Sequence, residues 1–408
     1  MNYSSRSFLL IWISIFLATF AISISSSPLP YLIRDLVSVA GDPEKTEKLA
    51  SIGISIAISL NSVAVIAGSY AGGFVLDRIG RKKAIVLAFT VLASGFVLFV
   101  LSQSAVPVFV ASFLQKLGYW LAMPSFDALV AGLTSPSSRG TSYGFFNISW
   151  MAAQIPGPFL GGLVADVLGL RAPFILGLVV SFLTVVLSTF IAEKERASNL
   201  FEKTLSDDAD REAEESSSVP LRNVLLMFGT AFLLNGIANG AISAAMNSFM
   251  VFYLKASTTE FGLAHSLGFG FVGALVQVPG GKLADKFGRK PLVLFSFLIV
   301  PLIPLLAISK NVWQFTAIMG FIVAIGNIGA PATTAWLMDS VEKSKRASAS
   351  GIVNTINGAG SAVGPIIGGG LWNLTDAIFT FGVIAAIFSA SFFVYLKIKE
   401  TRVHKDYG

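Results

Sequence analysis

The chain has 408 residues, of which 54% are hydrophobic and 13% charged, with 34 Phe and no Cys. Soluble domains carry about a quarter charged residues, so this composition indicates a membrane protein, and the lack of Cys excludes disulfides, Cys-ligated zinc and thiol nucleophiles. The formal net charge of +6 would suit a nucleic-acid binder, but the cations sit at the ends of apolar runs rather than on one basic face, which argues against that class.

Apolar runs bounded by charge or turn residues predict spans over residues 8–33, 48–76, 84–103, 107–133, 141–165, 172–192, 223–254, 262–284, 291–309, 313–338, 348–372 and 376–397, twelve in all. About 20 helical residues cross a hydrocarbon layer, so each run is of spanning length. The first run has a basic start at Arg6, as a signal peptide would, but continues into Ser25-Ser26-Ser27-Pro28 without a small-x-small cleavage site and is read as a retained span. Only the segment 193–222 is long and hydrophilic; its Ser and charge content predicts a flexible linker. The expected organisation is a six-helix bundle over 1–192, a linker over 193–222, a second bundle over 223–397 and a tail over 398–408.

The halves repeat one another. Asp77 and Asp285 are 208 residues apart, and Pro124–Pro331, Arg139–Arg346 and Gly157–Gly364 are each 207 apart. Six spans per half give both halves the same orientation, related by an axis along the membrane normal. Arg34, Lys45, Lys48, Arg171, Lys255 and Lys310 fall on one side of the membrane, and all other cations except Lys116 fall on the opposite side. The positive-inside rule therefore puts both termini and the linker in the cytoplasm of a multi-pass protein of the cell membrane.

Charge is concentrated in the turn between spans two and three, "GGFVLDRIGRKKA" over 72–84, and again between spans eight and nine, "GGKLADKFGRKPL" over 280–292. Gly73 and Gly281 are expected to admit a close neighbour, Gly80 and Gly288 to allow the turn, and Arg81, Lys82, Arg289 and Lys290 to anchor the next helix at the headgroups, with Arg78 beside Asp77 a further candidate for the loop's own function. Asp77 and Asp285, each at a helix end, are expected to seek a helix N-terminus or an arginine.

These paired loops resemble the loop signature of the major facilitator superfamily, and with the repeat and the spans the resemblance covers the whole chain. It implies an all-α membrane protein of two pseudo-symmetric bundles and a carrier that exposes one central site to each side alternately. It also implies that the loop acids gate the cytoplasmic side, Asp77 near Ser348–Gly351 and Asp285 near Thr141–Gly144, with Arg346 and Arg139 as counter-charges.

A second resemblance lies in spans five and eleven. Gly144 to Gly162 and Gly351 to Gly369 are similar to the family's antiporter pattern, with Ala153 replacing one glycine in the first copy. Gly157, Pro158, Gly161 and Gly162, and Gly360, Gly364, Pro365, Gly368 and Gly369, are expected to pack helices closely. The pattern points to proton-linked antiport or to packing alone, and its occurrence in both halves leaves the two open.

Span four departs from the family. "FLQKLGYWLAMP" over 113–124 resembles a motif whose usual arginine position holds Ser112 here, while Lys116 stands one turn later. Lys116 lies about 13 Å from Pro107 along the helix, near the bilayer midplane, where a lysine normally faces a cavity. It is read as an anion ligand or a protonation switch, against a structural pairing with a neighbouring helix. Asp127 shares its face, with Tyr119, Trp120 and Met123 between, and Gln115 adjoins it. Asp127 is read as a proton carrier or as the partner of a loop cation; His265, at the edge of span eight, is expected to be structural.

Asn235 and Asn239 on span seven and Asn327 on span ten are expected to contact substrate, the resemblance implying that spans one, four, seven and ten line the central site. Asn61, Gln277, Asn354 and Asn357 are weaker candidates, and interhelical hydrogen bonding competes for all of them. The functional expectation is a secondary active transporter of a small organic solute, with proton-coupled efflux as the reading and the proton as partner. Solute uptake, or a non-transporting sensor or assembly factor on the same fold, are the alternatives. No enzyme activity, cofactor, metal or nucleic-acid partner is expected, and a monomer is.

Overall fold

The computed structural model describes residues 3–133, 139–191, 221–342 and 345–398, and among these the secondary structure is helical. Among the described residues, ten helical stretches are long and apolar enough to cross a membrane. Ala172–Ser188 is apolar but has 17 residues, and Arg346–Leu374 has 29 residues but is rich in Gly, Ser and Asn.

The chain divides into two compact units, one of Met1–Thr204 with Met250–Ser266 and one of Leu205–Phe249 with Leu267–Gly408. The segment 250–266, from the ends of spans seven and eight, therefore belongs by its contacts to the first unit, a division that the apolar runs do not foretell.

The first unit contains α1 (Tyr3–Ser26), α2 (Leu29–Leu36), α3 (Pro43–Ile79), α4 (Arg81–Leu101), α5 (Ala105–Leu133), α6 (Arg139–Gln154), α7 (Pro156–Leu168), α8 (Ala172–Ser188) and α10 (Thr258–Ala264). The predicted first span is split between α1 and α2 at Pro28, where the chain lacks a backbone donor. Span five is likewise two helices, α6 and α7, parted at Ile155-Pro156. Asp42 caps α3, its carboxylate accepting from Lys45 N at 2.9 Å ahead of Pro43 in the first turn. The core is apolar and aromatic, with Phe89, Phe96, Phe99, Phe126 and Phe174 fully buried.

The second unit contains α9 (Leu221–Ser248), α11 (Val272–Phe287), α12 (Arg289–Ser296), α13 (Val312–Asp339), α14 (Arg346–Leu374) and α15 (Ala377–Lys397). Short π-helical turns follow α9 at Phe249–Tyr253 and precede α11 at His265–Phe271. Beyond α12 the ninth span tightens into 3-10 turns at Phe297–Leu302 and Pro304–Ile308, where Pro301 and Pro304 interrupt α-helical hydrogen bonding. Trp336, Phe228 and Tyr395 form its aromatic core, Phe228 meeting the other two rings edge-on.

The repeated loops carry a repeated backbone. Gly80 has φ 81° and ψ 165° between α3 and α4, and Gly288 has φ 91° and ψ 165° between α11 and α12. That conformation is essentially restricted to glycine.

Candidate functional site

In the first unit α5 presents the sequence-predicted residues. Gln115 donates from Nε2 to Ser25 Oγ at 2.9 Å, and Tyr119 OH lies 3.0 Å from Thr19 Oγ1, so their polar ends tie α5 to α1. The backbone of α5 at Leu117 and Leu121 lies against Gly68 of α3, and Gly118 lies against Ala88 and Leu92 of α4, with no room for a side chain at either glycine. Trp120 meets Tyr119 edge-on and touches Gly68 with its Cβ. Lys116 falls in the remaining sector, between the α1 and α3 contacts, and among the described residues it has neither a hydrogen bond nor an ion pair. Asp127 shares that sector but lies about 16 Å further along the axis, so the structure does not bring the two charges together; it is solvent-exposed.

In the second unit a cavity of about 400 Å³ gathers the amides. Asn235 and Asn239 of α9 and Asn327 of α13 all line it, joined by Asn357 of α14, Thr333 and Thr334 of α13 and Tyr395 of α15. Asn239 donates to Asn235 O at 2.8 Å, Asn357 donates to Phe232 O at 2.9 Å, and Asn235 reaches Tyr395 OH at 3.4 Å. These bonds use amide nitrogens and leave the oxygens for other donors. Met246, Phe269, Met319 and Phe388 supply apolar wall, and among the described residues no charged one lines the cavity. Its walls come from five helices and the adjoining turns, a wider set than spans seven and ten. Asn357 and Tyr395 were undervalued by sequence reasoning because their sides of α14 and α15 carry no charge and no distinctive spacing.

The loop residues divide. Arg289 donates to Ala335 O at 2.7 Å and pairs with Asp339 at the end of α13, and Lys290 donates to Leu396 O at 2.8 Å and Ile398 O at 2.7 Å at the end of α15. Both therefore secure helix ends inside their unit, where headgroup anchoring was expected of each. Arg78 is exposed, and Arg346 Nε stands 3.5 Å from Val341 O. A Cβ at Gly73 would meet nothing within 4 Å; the close approach is at Gly72, against Leu121 and Pro124, and in the second copy at Gly280, against Ile328. The side chains of Asp77, Asp285 and Arg139 and the surroundings of Gly281 lie outside the described ones, as does the side chain of Gln277.

The glycine-rich stretches are contact surfaces. Gly157 and Gly161 press on Ser23 and Ile24 of α1, and Gly162 presses on Thr258 of α10. Gly360, Gly364 and Gly368 press on Leu233, Ile237 and Ala241 of α9, with Pro365 against Gly240 and Gly369 buried beside them. Pro158 O accepts from Ser27 Oγ at 2.7 Å. His265 stacks on Phe261 at 4.5 Å with Nδ1 3.2 Å from Phe261 O. Asn354 is exposed and reaches Ser350 Oγ at 3.2 Å.

The family model for the Major Facilitator Superfamily matches residues 11–233 and 228–407, across both units. The chain belongs to the Major Facilitator Superfamily. It is a multi-pass membrane protein and a secondary active transporter. Among curated proteins it is similar to the proton-coupled antiporter flippase LtaA of Staphylococcus epidermidis, 25% identical over 98% of this chain and 97% of that one. It is also similar to the quinolone resistance protein NorA of Staphylococcus aureus, 20% identical over 91% of each chain. Among solved structures, an auto-inhibited POT family peptide transporter shares the fold with a TM-score of 0.74 at 12% identity, covering 99% of this chain and 98% of that one.

Proposed function

We propose that this transporter exports a small, largely apolar organic molecule in exchange for protons, and that the amide-lined cavity of the second unit is part of the substrate site. The observation that carries this reading is the convergence of Asn235, Asn239 and Asn327 on one cavity. Three separate positions chosen for their polarity in apolar helices share a cavity with Met and Phe walls. Apolar surface with a few placed hydrogen-bonding groups is the usual make-up of a small-molecule site. Relatives described as proton-coupled antiporters and drug-resistance proteins support export and proton linkage.

Proton linkage needs an ionisable group within the spans, and α5 supplies Asp127. Cytoplasmic termini and gating by Asp77 and Asp285 complete the proposal. They are supported by the cation distribution and by the matching backbones of Gly80 and Gly288.

The reading is tested in proteoliposomes with an imposed pH gradient, using ethidium and norfloxacin as probes. Gradient-driven flux of at least one is expected in the wild type, to fall about tenfold or more in Asp127→Asn or in the double variant Asn239→Ala/Asn327→Ala. Flux that ignores the gradient, or that both variants retain in full, would refute the proposal.

A further inference from the structure

In the first unit two buried polar atoms without a hydrogen-bond partner lie close to Lys116 along α5 and α3. Ser112, one turn earlier on the same helix, is 1% exposed, and its hydroxyl has no hydrogen-bond partner. Asn61 of α3 likewise has a buried Oδ1 without a partner. Helical phase relates the three. Asn61 is seven residues before Gly68 and therefore on the same face of α3, the face that meets α5. Gly68 touches α5 at Leu117 and Leu121 and Gly72 touches it at Leu121 and Pro124, so the helices advance together and Asn61 lies near the level of Ser112.

The sector containing Lys116 is bounded by the contacts of α5 with α1 and α3. A lysine within a span, a buried hydroxyl one turn away and a buried amide at the same level are costly when left unpaired. Interhelical packing explains Gln115 and Tyr119, which are satisfied by Ser25 and Thr19, but leaves these three without a role.

We infer that Lys116, Ser112 and Asn61 form a binding site for an anionic group, a phosphate or carboxylate carried on an otherwise apolar molecule. Lys116 supplies the charge, the Ser112 hydroxyl donates a second hydrogen bond, and Asn61 Oδ1 accepts from a hydroxyl of the ligand or from a bridging water. Lys116 thereby acts as a fixed cation rather than as the proton carrier. The inference rests on the reading of this chain as a transporter, and it adds a class of cargo.

The test compares amphiphiles with one chain length and different heads, added to the purified protein in dodecyl maltoside, itself the neutral-head reference. Dodecyl phosphate and dodecanoate are expected to raise the melting midpoint by a few degrees and dodecyltrimethylammonium to leave it unchanged. Lys116→Arg should keep the anion response, Ser112→Ala should weaken it, and Lys116→Ala and Lys116→Gln should abolish it. Arginine stays charged at all accessible pH values, so a role as proton carrier would be lost in Lys116→Arg. The inference is overturned if the wild type shows no anion-dependent shift, if the cationic amphiphile stabilises equally, if either neutral variant keeps the response, or if Lys116→Arg loses it. Such a result with intact pH-driven flux of ethidium or norfloxacin removes the anion site alone, whereas a wild type that moves neither probe with the gradient removes the proposal of proton-coupled export.

Discussion

Asp166 on α7 holds the start of α10: its Oδ1 accepts from Thr258 Oγ1 at 2.6 Å and its Oδ2 from Thr259 N at 2.9 Å. The next donor, Glu260 N, goes to Ser257 Oγ at 3.1 Å in a capping box completed by Ser257 N to Glu260 Oε2 at 2.9 Å. The first turn of α10 therefore has its amide donors met partly from another helix. Tyr31 of α2 adds a hydrogen bond to Ala256 O at 2.7 Å, and Gly162 and Gly262 bring the α7 and α10 backbones into contact.

Removing this carboxylate should loosen the segment without unfolding the unit. Hydrogen bonds to charged groups contribute about 1.5–3 kcal/mol, less at an exposed site, so Asp166→Ala should cost about 1 kcal/mol locally. Hydrogen exchange over 257–264 is expected to quicken several-fold while α3 to α5 keep their protection. Unchanged exchange in that segment would contradict the assignment.

Two glycines that the sequence marks alike as close contacts make opposite predictions. Gly364 lies against Ile237 and Ala241 backbone, so Gly364→Val should lower the melting midpoint by several degrees through overpacking. Gly73 has free space within helical backbone, so Gly73→Ala should be neutral or stabilise by up to about 1 kcal/mol. Thermal unfolding of the two variants decides this, and equal effects would contradict it.

At the loop turns, conformation rather than space is limiting. Gly80→Ala and Gly288→Ala must adopt φ values of 81° and 91°, at about 1–3 kcal/mol each. Both should reduce stability by similar amounts, because the two turns share a backbone; a loss at only one would break the equivalence of the repeats.

Arg289 and Asp339 form a partly exposed pair, with side-chain exposures of 17% and 33%. A double-mutant cycle with Arg289→Ala and Asp339→Asn should show a coupling of about 0.2–1 kcal/mol. A coupling of zero would assign Arg289 to the headgroups, as the sequence position suggests.

The sequence was most informative where physical constraint repeats. A glycine at one place in both loops anticipated Gly80 and Gly288, and amides in apolar runs anticipated a shared cavity. Asp166 was passed over because it lies at a span end, and its partners Thr258 and Thr259 are more than 90 residues away. The breaks at Pro28 and Pro156 were present in the residues, but hydropathy averages across a proline and reports one run. Gly72 and Gly73 are indistinguishable by type; only the angle at which α3 meets α5 selects Gly72 as the contact.

The most direct test of the substrate cavity uses the absence of native Cys. Single cysteines replace Thr333, a cavity residue, and Phe321, which is 67% exposed, and labelling by N-ethylmaleimide is timed in membranes. A probe found to be transported should slow labelling at position 333 and leave position 321 unaffected. Equal labelling rates at position 333 with and without that probe would contradict the assignment of the amide cavity as the place where cargo binds.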